Sequence, residues 1–343
     1  MTELKQIHGG DVYRHPGVLD FSSNMNPLGP PESVKKAAKE SIDHIQDYPD
    51  VAKEKLIAAL SDYEQVPSDY IVCGNGAAEV IYMLAWALRP RKALLAVPTF
   101  AEYELALKTA GCDTARFFLD PEKDFRVDEA FLASINASYD LVVLCNPNNP
   151  TGLTIDPVLL KKILDKCREN DIYLLVDECF QDFLDQDRSP SLKPYLASCP
   201  GLFLLKAFTK RYAMAGLRLG YGLSSDSELL SRMAEAVQPW NVSIPAQAAG
   251  TAALNETDYV KKAQEIIRTE RDFLKEELRK KGFKVWDSEA NYIFFQGPEG
   301  LVEKALEKNI LIRSCANYPG LDETYYRVAV KTHEQNQKLL EAL

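Results

Sequence analysis

The chain has 343 residues, of which 46% are hydrophobic and 26% are charged, and its formal net charge is −10. That length fits roughly two domains whose cores bury enough apolar surface to fold without disulfide bonds or metals. The acidic balance, together with the lack of a basic run or clustered arginines, argues against nucleic acid as a partner.

The first 30 residues are rich in Gly, Pro, Asn and Ser and are expected to form an arm with little regular structure. Pro30 and Pro31 then start a predicted helix, whose apolar residues recur with a helical period: Val34, Ala37, Ala38, Ile42 and Ile45. From residue 70 onward, short apolar segments alternate with amphipathic ones. Strands are predicted over 70–73, 93–97, 141–145, 172–176, 202–205 and 217–223, and helices over 77–88, 101–110, 157–169 and 226–236.

Apolar strands that alternate with helices predict a buried, mainly parallel sheet with helices on both faces. After Pro239 the pattern changes to α+β, with helices near 245–254 and 257–281, strands near 283–286, 291–295, 310–313 and 325–330, and a final helix. We therefore predict an arm over 1–30, a large domain over 31–240 and a small domain over 241–343. In open α/β sheets, ligands bind beyond the carboxyl ends of the strands, so the polar residues at those ends are the candidates for a site.

The seven cysteines are scattered without a C-x-x-C spacing, and the four histidines lack metal-ligand spacing, so no metal site is predicted. The N-terminus has no apolar signal segment, and the longest apolar run, 80–88, is about half of what a bilayer requires. These features predict a cytoplasmic protein with no membrane partner.

A glycine-rich connection lies between a predicted strand and a predicted helix, with the sequence Cys73-Gly-Asn-Gly-Ala-Ala-Glu79. The start of a helix presents free N–H groups and a positive dipole end, which suit a phosphate. The alternative is a simple connection, because glycine turns commonly join strands to helices.

Two further polar segments follow predicted strands. The first is the loop Asn146-Pro-Asn-Asn-Pro-Thr-Gly152, which is either a rigid binding loop or an ordinary turn made of turn-forming residues. The second is Asp177, which ends an apolar strand. A carboxylate there either caps the following turn or, if it is buried, holds a cationic ring nitrogen.

Lys210 lies in the segment Lys206-Ala-Phe-Thr-Lys210-Arg-Tyr-Ala-Met-Ala-Gly216-Leu-Arg218. Most lysines are solvated surface groups. This one follows an apolar strand, and Arg218 stands eight residues further on. Apolar surroundings and a neighbouring cation lower the pKa of an amine, as a lysine that attacks a carbonyl group requires.

In this order, the four segments resemble those of the fold-type I superfamily of aminotransferases that depend on pyridoxal phosphate (PLP), over essentially the whole chain. The resemblance implies a large PLP-binding domain, with a mainly parallel sheet between helices, and a smaller α+β domain. It implies that Lys210 binds PLP covalently and then moves protons, and that Asp177 keeps the ring nitrogen protonated. It further implies a set of cofactor contacts: Asn149 to the phenolic oxygen, Phe100 stacked on the ring, and Gly76, Ala77, Thr209 and Arg218 around the phosphate. Tyr48 would reach the phosphate of the neighbouring subunit in a homodimer with shared active sites.

Within the superfamily, the chain resembles histidinol-phosphate aminotransferases and, more closely, the L-threonine-O-3-phosphate decarboxylases of cobalamin biosynthesis. The stretches that favour the decarboxylases are His8-Gly-Gly10, the segments 20–29 and 238–242, and Ile310-Leu-Ile-Arg-Ser-Cys-Ala-Asn-Tyr-Pro-Gly-Leu-Asp322. Phe180 also stands where the aminotransferases usually have a tyrosine bonded to the phenolic oxygen, although a phenylalanine there could be neutral packing. The resemblance therefore implies a carboxy-lyase that converts L-threonine O-3-phosphate to aminopropanol phosphate. The alternative is an aminotransferase of the histidinol-phosphate type that uses 2-oxoglutarate or glutamate.

The decarboxylase resemblance also implies substrate contacts. His8 and Asn24 would contact the substrate phosphate, and Arg313 and Arg327 would bind its anionic groups. His8 could instead be solvated, whereas an arginine on an apolar strand, as at 327, calls for an anionic partner. One departure is Ala207, where the decarboxylases have a serine whose hydroxyl could touch the cofactor phosphate.

Overall fold

The fold is given by a computed structural model that describes residues 8–185 and 191–343. Its strands are β1 Leu19–Asp20, β2 Ile71–Gly74, β3 Lys92–Val97, β4 Asp113–Phe118, β5 Leu141–Cys145, β6 Tyr173–Asp177, β7 Leu202–Ala207, β8 Gly220–Leu223, β9 Lys284–Val285, β10 Tyr292–Gln296, β11 Ile310–Leu311, β12 Arg313–Ser314 and β13 Tyr325–Ala329. Its α-helices are α1 Glu32–Glu40, α2 Glu54–Glu64, α3 Ala77–Leu88, α4 Ala101–Thr109, α5 Glu129–Ser134, α6 Pro157–Glu169, α7 Phe208–Arg211, α8 Ser227–Glu235, α9 Ile244–Ala253, α10 Thr257–Lys280, α11 Leu301–Glu307 and α12 His333–Ala342.

Seven strands form the central sheet, in the order β2-β8-β7-β6-β5-β3-β4. All neighbouring strands pair in parallel, except that β8 is antiparallel to both β2 and β7. Successive side chains along a strand point to opposite faces, so Leu94 packs into one core cluster and Leu95 into another. Helices cover both clusters. The predicted α/β fold with a mainly parallel sheet is thus confirmed.

A second, four-stranded sheet in the order β12-β13-β10-β9 is antiparallel and has its own core cluster. The end of the N-terminal arm attaches to this part of the chain, because β1 pairs in parallel with β11 and Phe21 is buried in the same cluster. The backbone N–H of Ala329 also donates to the carbonyl of Phe21, at 2.8 Å. The arm therefore passes from the small antiparallel unit toward the carboxyl edge of the large sheet.

The predicted domain boundaries stay a prediction. The core clusters favour a later division than 240/241, because Ala246, Ala249 and Val260 pack into the core of the large sheet. Ala263, by contrast, packs into the core of the small one. We propose that the boundary lies within α10.

Some elements differ from the sequence expectations. The first predicted helix ends at Glu40 and continues as a 3₁₀ turn over Ser41–His44. Two residues of its predicted apolar stripe, Ile42 and Ile45, are 51% and 62% exposed. Strands β1 and β4 and helices α2, α5, α7 and α11 were not predicted. None of the described helices is long and apolar enough to cross a membrane.

Candidate active site

A cavity of about 510 Å³ opens where β5, β6 and β7 end, at Cys145, Asp177 and Ala207. All but two of the residues predicted for the site line it: His8, Asn24, Ala77, Phe100, Asn149, Asp177, Thr209, Lys210, Arg218, Arg313 and Arg327. The two exceptions are Gly76, which lies next to the lining residue Ala77, and Tyr48. The carboxyl edge of the sheet thus brings together segments that are far apart in the sequence.

Lys210 sits on the single turn α7, directly after β7. Its backbone is fixed by the arm, because the N–H of Asn26 donates to the Lys210 carbonyl at 3.1 Å and the Asn26 side chain donates to the next carbonyl. Burial lowers the pKa of its amine to about 8, and the charges of Arg327 and Arg218 act in the same direction. Among the described residues, none forms a hydrogen bond or ion pair with this amine. The amine can therefore lose its proton near neutral pH.

Asp177 is buried at the end of β6, and its two carboxylate oxygens accept hydrogen bonds from uncharged groups. The Tyr103 hydroxyl donates to Oδ2 at 2.5 Å, and the backbone N–H of Cys179 donates to Oδ1 at 2.8 Å. Burial raises the pKa of this carboxyl, while the bonds from Cys179 and Tyr103 oppose the rise. No described residue forms an ion pair with it, so it is suited to the cationic ring nitrogen of a ligand.

The glycine-rich connection and Arg218 meet at another wall of the cavity. Gly76 is the N-cap of α3 and has a φ of 85°, a conformation that favours glycine. A Cβ at Gly76 would overlap the Arg218 guanidinium. Glu79 stabilises the loop, because its Oε2 accepts hydrogen bonds from the Asn75 N–H and from the Asn241 amide, both at 2.6 Å. A helix N-terminus beside an arginine forms an anion site.

Two arginines from the small sheet also line the cavity. Arg327 on β13 is only 6% exposed, donates to the Asn149 Oδ1 and donates to the Ser22 carbonyl at 2.8 Å. No carboxylate of the described chain pairs with it. Arg313 on β12 donates to the Asn317 side chain at 2.6 Å, and burial lowers the pKa of its guanidinium. The Arg327 charge faces a cavity in which an anionic group would compensate it, and Arg313 lines the same cavity.

Asn149 is oriented by its neighbours. Its side-chain oxygen accepts from Arg327 and from the Tyr318 hydroxyl, the latter at 3.1 Å. The amide nitrogen has no acceptor among the described residues. A donor therefore remains for a ligand oxygen, as the predicted contact requires.

His8 and Asn24 line the cavity on the side of the arm. The ring of His8 lies 5.8 Å from that of Phe100, and its Nε2 is 2.7 Å from Glu102 Oε1. That hydrogen bond lowers the pKa of Glu102. Asn24 is buried, and its Oδ1 has no partner in the described part of the chain. His8 is thus near the predicted place, but it is engaged by a carboxylate that the sequence reasoning had not considered.

Tyr48 lies outside the cavity. It is 77% exposed and stacks on Trp240, with ring centroids 4.4 Å apart. Its predicted reach to the phosphate of a neighbouring subunit stays a prediction. Phe180 lines the cavity and packs edge-on against Tyr292 at 4.9 Å, so it combines a packing role with a place at the site.

The polar lining residues that the sequence reasoning missed include Glu102, Tyr103 and Tyr318. A signal existed for Tyr103, which follows Phe100 by one helical turn and so shares its face. Tyr318 lies inside the segment 310–322 that carried the family resemblance. The sequence around Glu102 gives no indication that its carboxylate bonds to a histidine of the arm, which is far away in the sequence.

The residues present fit PLP. This cofactor needs an amine for its aldehyde, a carboxylate for its ring nitrogen and an anion site for its phosphate. Lys210, Asp177 and the Gly76–Arg218 corner supply these groups around one cavity.

Comparison with known proteins agrees with this geometry. Residues 16–343 match the family described as aminotransferase class I and II. The chain is 38% identical to threonine-phosphate decarboxylase of Salmonella typhimurium strain LT2, an alignment that covers 100% of this chain and 97% of that protein. The structure of histidinol-phosphate aminotransferase from Clostridium acetobutylicum is similar with a TM-score of 0.88 and 33% identity, over 95% of this chain and 98% of the other. That of L-threonine-O-3-phosphate decarboxylase from Porphyromonas gingivalis gives a TM-score of 0.83 and 25% identity, over 94% and 97%. The chain therefore belongs to the class I and II aminotransferase family of PLP-dependent enzymes.

Proposed function

We propose that this chain decarboxylates L-threonine O-3-phosphate, yielding CO₂ and aminopropanol phosphate for cobalamin biosynthesis. The observation that carries the proposal is the positive charge of the cavity beyond what the cofactor needs. Arg218 suits the cofactor phosphate, whereas Arg313 and Arg327 line the same cavity from the small sheet. A substrate with both a phosphate and a carboxylate would match them. The 38% identity to a threonine-phosphate decarboxylase over the whole chain supports the same substrate.

In this proposal, the chain's residues divide into cofactor and substrate contacts. Bound PLP supplies an electron sink for the electron pair of a bond broken at the substrate Cα. Lys210 would hold the aldehyde carbon, Asp177 the ring nitrogen and Asn149 the phenolic oxygen. Phe100 would cover the ring, and the phosphate would be held by Gly76, Ala77, Thr209 and Arg218. Ala207 offers no hydroxyl to that phosphate, so the backbone N–H groups and Arg218 carry more of the binding.

The substrate's orientation decides which bond breaks, and the arginines set that orientation. The bond at Cα that stands perpendicular to the ring plane is the one whose electrons can be withdrawn. Arg313 and Arg327 would fix the substrate's anionic groups so that the carboxylate takes this position. His8 and Asn24 would contact the phosphate from the arm.

After CO₂ leaves, Cα must take up a proton, and Lys210 is the group to deliver it. Its lowered pKa of about 8 lets it hold and release a proton within the neutral range.

An aminotransferase of the histidinol-phosphate type is the second candidate, because a histidinol-phosphate aminotransferase has a TM-score of 0.88 to this chain. The same residues would serve it if the Cα–H bond, in place of the carboxylate, stood perpendicular to the ring. Phe180 favours the decarboxylase, since the aminotransferases place a hydroxyl at this position.

Analysis of products with each substrate tests the proposal. The purified protein with PLP is given threonine phosphate or histidinol phosphate, each with and without 2-oxoglutarate, and products are identified by mass spectrometry. We expect equal amounts of CO₂ and aminopropanol phosphate from threonine phosphate without 2-oxoglutarate, and none from a Lys210→Ala variant. Turnover that requires 2-oxoglutarate and releases no CO₂ would contradict the proposal and favour the aminotransferase.

We also propose that the enzyme is a homodimer with shared active sites. Support comes from an apolar patch, defined here as Ile42, Ile45, Tyr48, Val51 and Trp240, whose side chains are all exposed. Tyr48 belongs to this patch, so the same surface that would meet a second copy carries the residue expected at that copy's phosphate. A cytoplasmic location stays a prediction.

A further inference from the structure

Tyr103 touches two of the residues that surround the proposed ring position. It lies on α4, is 1% exposed, and donates its hydroxyl proton to Asp177 Oδ2 at 2.5 Å. Its ring meets Phe100 edge-on, with centroids 5.6 Å apart and planes at 83°. A single side chain therefore contacts both the carboxylate and the aromatic residue assigned to the ring.

The hydrogen bond matters because Asp177 is buried and lacks a cationic partner among the described residues. Burial disfavours the charged form of a carboxyl, and donors to the carboxylate counteract this. For Asp177 the donors are Tyr103 and the Cys179 backbone and thiol, all of them uncharged. Burial also raises the pKa of the Tyr103 hydroxyl well above its usual value, so Tyr103 keeps its proton and remains a donor.

We propose that Tyr103 is a positioning residue, which holds the Asp177 carboxylate in its anionic form for the ring nitrogen of PLP while it also fixes the Phe100 ring. The inference rests on the proposed cofactor site. The hydroxyl provides the first role and the aromatic ring provides the second. The two roles can therefore be separated by removing the oxygen atom alone.

A Tyr103→Phe variant tests the role of the hydroxyl. It retains the ring contact with Phe100 but removes the donor, so Asp177 should take up a proton at a higher pH. A protonated Asp177 cannot pair with a cationic ring nitrogen, so PLP affinity falls as pH falls through the pKa of this carboxyl. We call the pH range over which PLP affinity falls on acidification the acid limb. We expect the acid limb to shift upward by about one to two pH units, which is the usual contribution of a hydrogen bond to a charged group.

The readout is the PLP dissociation constant of the apoprotein from pH 5 to pH 9, measured by absorbance titration on the order of every half unit. Tyr326→Phe is the matched control, because Tyr326 is also buried and its hydroxyl donates to the Pro298 carbonyl at 2.9 Å, away from the cavity. Its acid limb should coincide with that of the wild type. In an Asp177→Asn background, which lacks the carboxylate, Tyr103→Phe should not shift the pH dependence of the PLP dissociation constant.

An acid limb that stays in place in Tyr103→Phe would overturn the inference, as would an equal shift in the Asp177→Asn background. Should Tyr103→Phe fail to fold, 3-fluorotyrosine at position 103 provides a stronger donor of nearly the same size. It should move the acid limb to lower pH, and no movement would again overturn the inference. Wild-type protein that takes up no PLP at Lys210 would contradict the proposed function itself, and this inference with it.

Discussion

At the scale of single residues, the cavity is distinguished by buried charges that the described chain leaves without an opposite charge. Lys206 and Lys210 illustrate the contrast. Although burial acts to lower it, the pKa of Lys206 is raised overall, because its amine pairs with Glu178 at 2.9 Å. Lys210, four residues further on, has no such partner among the described residues, and its pKa is lowered to about 8. The same chain thus keeps one lysine as a paired cation and leaves the other with an amine that can lose its proton near neutral pH.

A substitution at Gly76 gives a testable prediction at the scale of single residues. In Gly76→Ala, the new Cβ would overlap the Arg218 guanidinium, and the φ of 85° would strain the backbone. We expect PLP to bind roughly ten- to hundredfold more weakly, the range for one lost charge-assisted hydrogen bond. The measurement is the PLP dissociation constant at a fixed neutral pH.

Gly282→Ala is the control for backbone strain alone. Gly282 has a φ of 88°, and a Cβ there would meet no atom within 4 Å. It should lower stability slightly and leave PLP affinity unchanged. Equal PLP affinity in Gly76→Ala and the wild type would show that the Gly76–Arg218 corner does not hold the phosphate.

The central residues of the site were predictable because each stands at a strand end in a distinctive segment. Lys210, Asp177 and Asn149 were found in this way. The bond between His8 and Glu102 could not be foreseen, since it joins residues 94 positions apart and depends on where the arm folds back. The contact of Tyr103 with Asp177 spans 74 positions and likewise needs the tertiary fold.

At the scale of elements, the buried strands of the sheet were predictable from their apolar runs. Strand β4 was missed because it lies at the sheet edge, where its sequence Asp-Thr-Ala-Arg-Phe-Phe mixes exposed and half-buried side chains and has no buried apolar run. Helix α2 was missed because polar residues stand among its apolar residues, so the helical period of the apolar residues is hard to recognise in the sequence. The stripe after Glu40 was read as a continued helix, although Ile42 and Ile45 do not pack inside the chain.

Ion pairs join the elements that carry the two central residues. Lys206 on β7 pairs with Glu178, which follows Asp177, and Arg211, which follows Lys210, pairs with Asp182 at 2.7 Å. These links connect the end of β6 to the segment that bears Lys210. The two ion pairs fix the position of the Asp177 carboxylate relative to the Lys210 amine, although neither of these groups belongs to either pair.

At the scale of the whole molecule, the apolar patch predicts self-association. Exposed apolar side chains that neighbour one another mark the interaction surfaces of many proteins. We expect the wild type to sediment with twice the chain mass of 38.5 kDa. A double variant, Ile42→Asp with Ile45→Asp, should sediment as a single chain, because two buried charges would oppose the interface.

Val158→Asp is the matched control, since Val158 is also exposed but lies on α6, outside the patch. It should keep the sedimentation of the wild type. The double variant should also bind PLP more weakly if Tyr48 serves the neighbouring subunit. A double variant that still sediments at twice the chain mass would contradict the assignment of this surface.

Every role proposed for the residues of the site depends on a covalent link between Lys210 and PLP. The most direct measurement is to equilibrate the purified protein with PLP, reduce it with borohydride and map the modified peptides by mass spectrometry. The proposed link predicts a pyridoxyl group on Lys210 and none on Lys206, the neighbouring lysine whose amine is paired with Glu178. A pyridoxyl group found only on other lysines, or no trapped adduct at all, would contradict it.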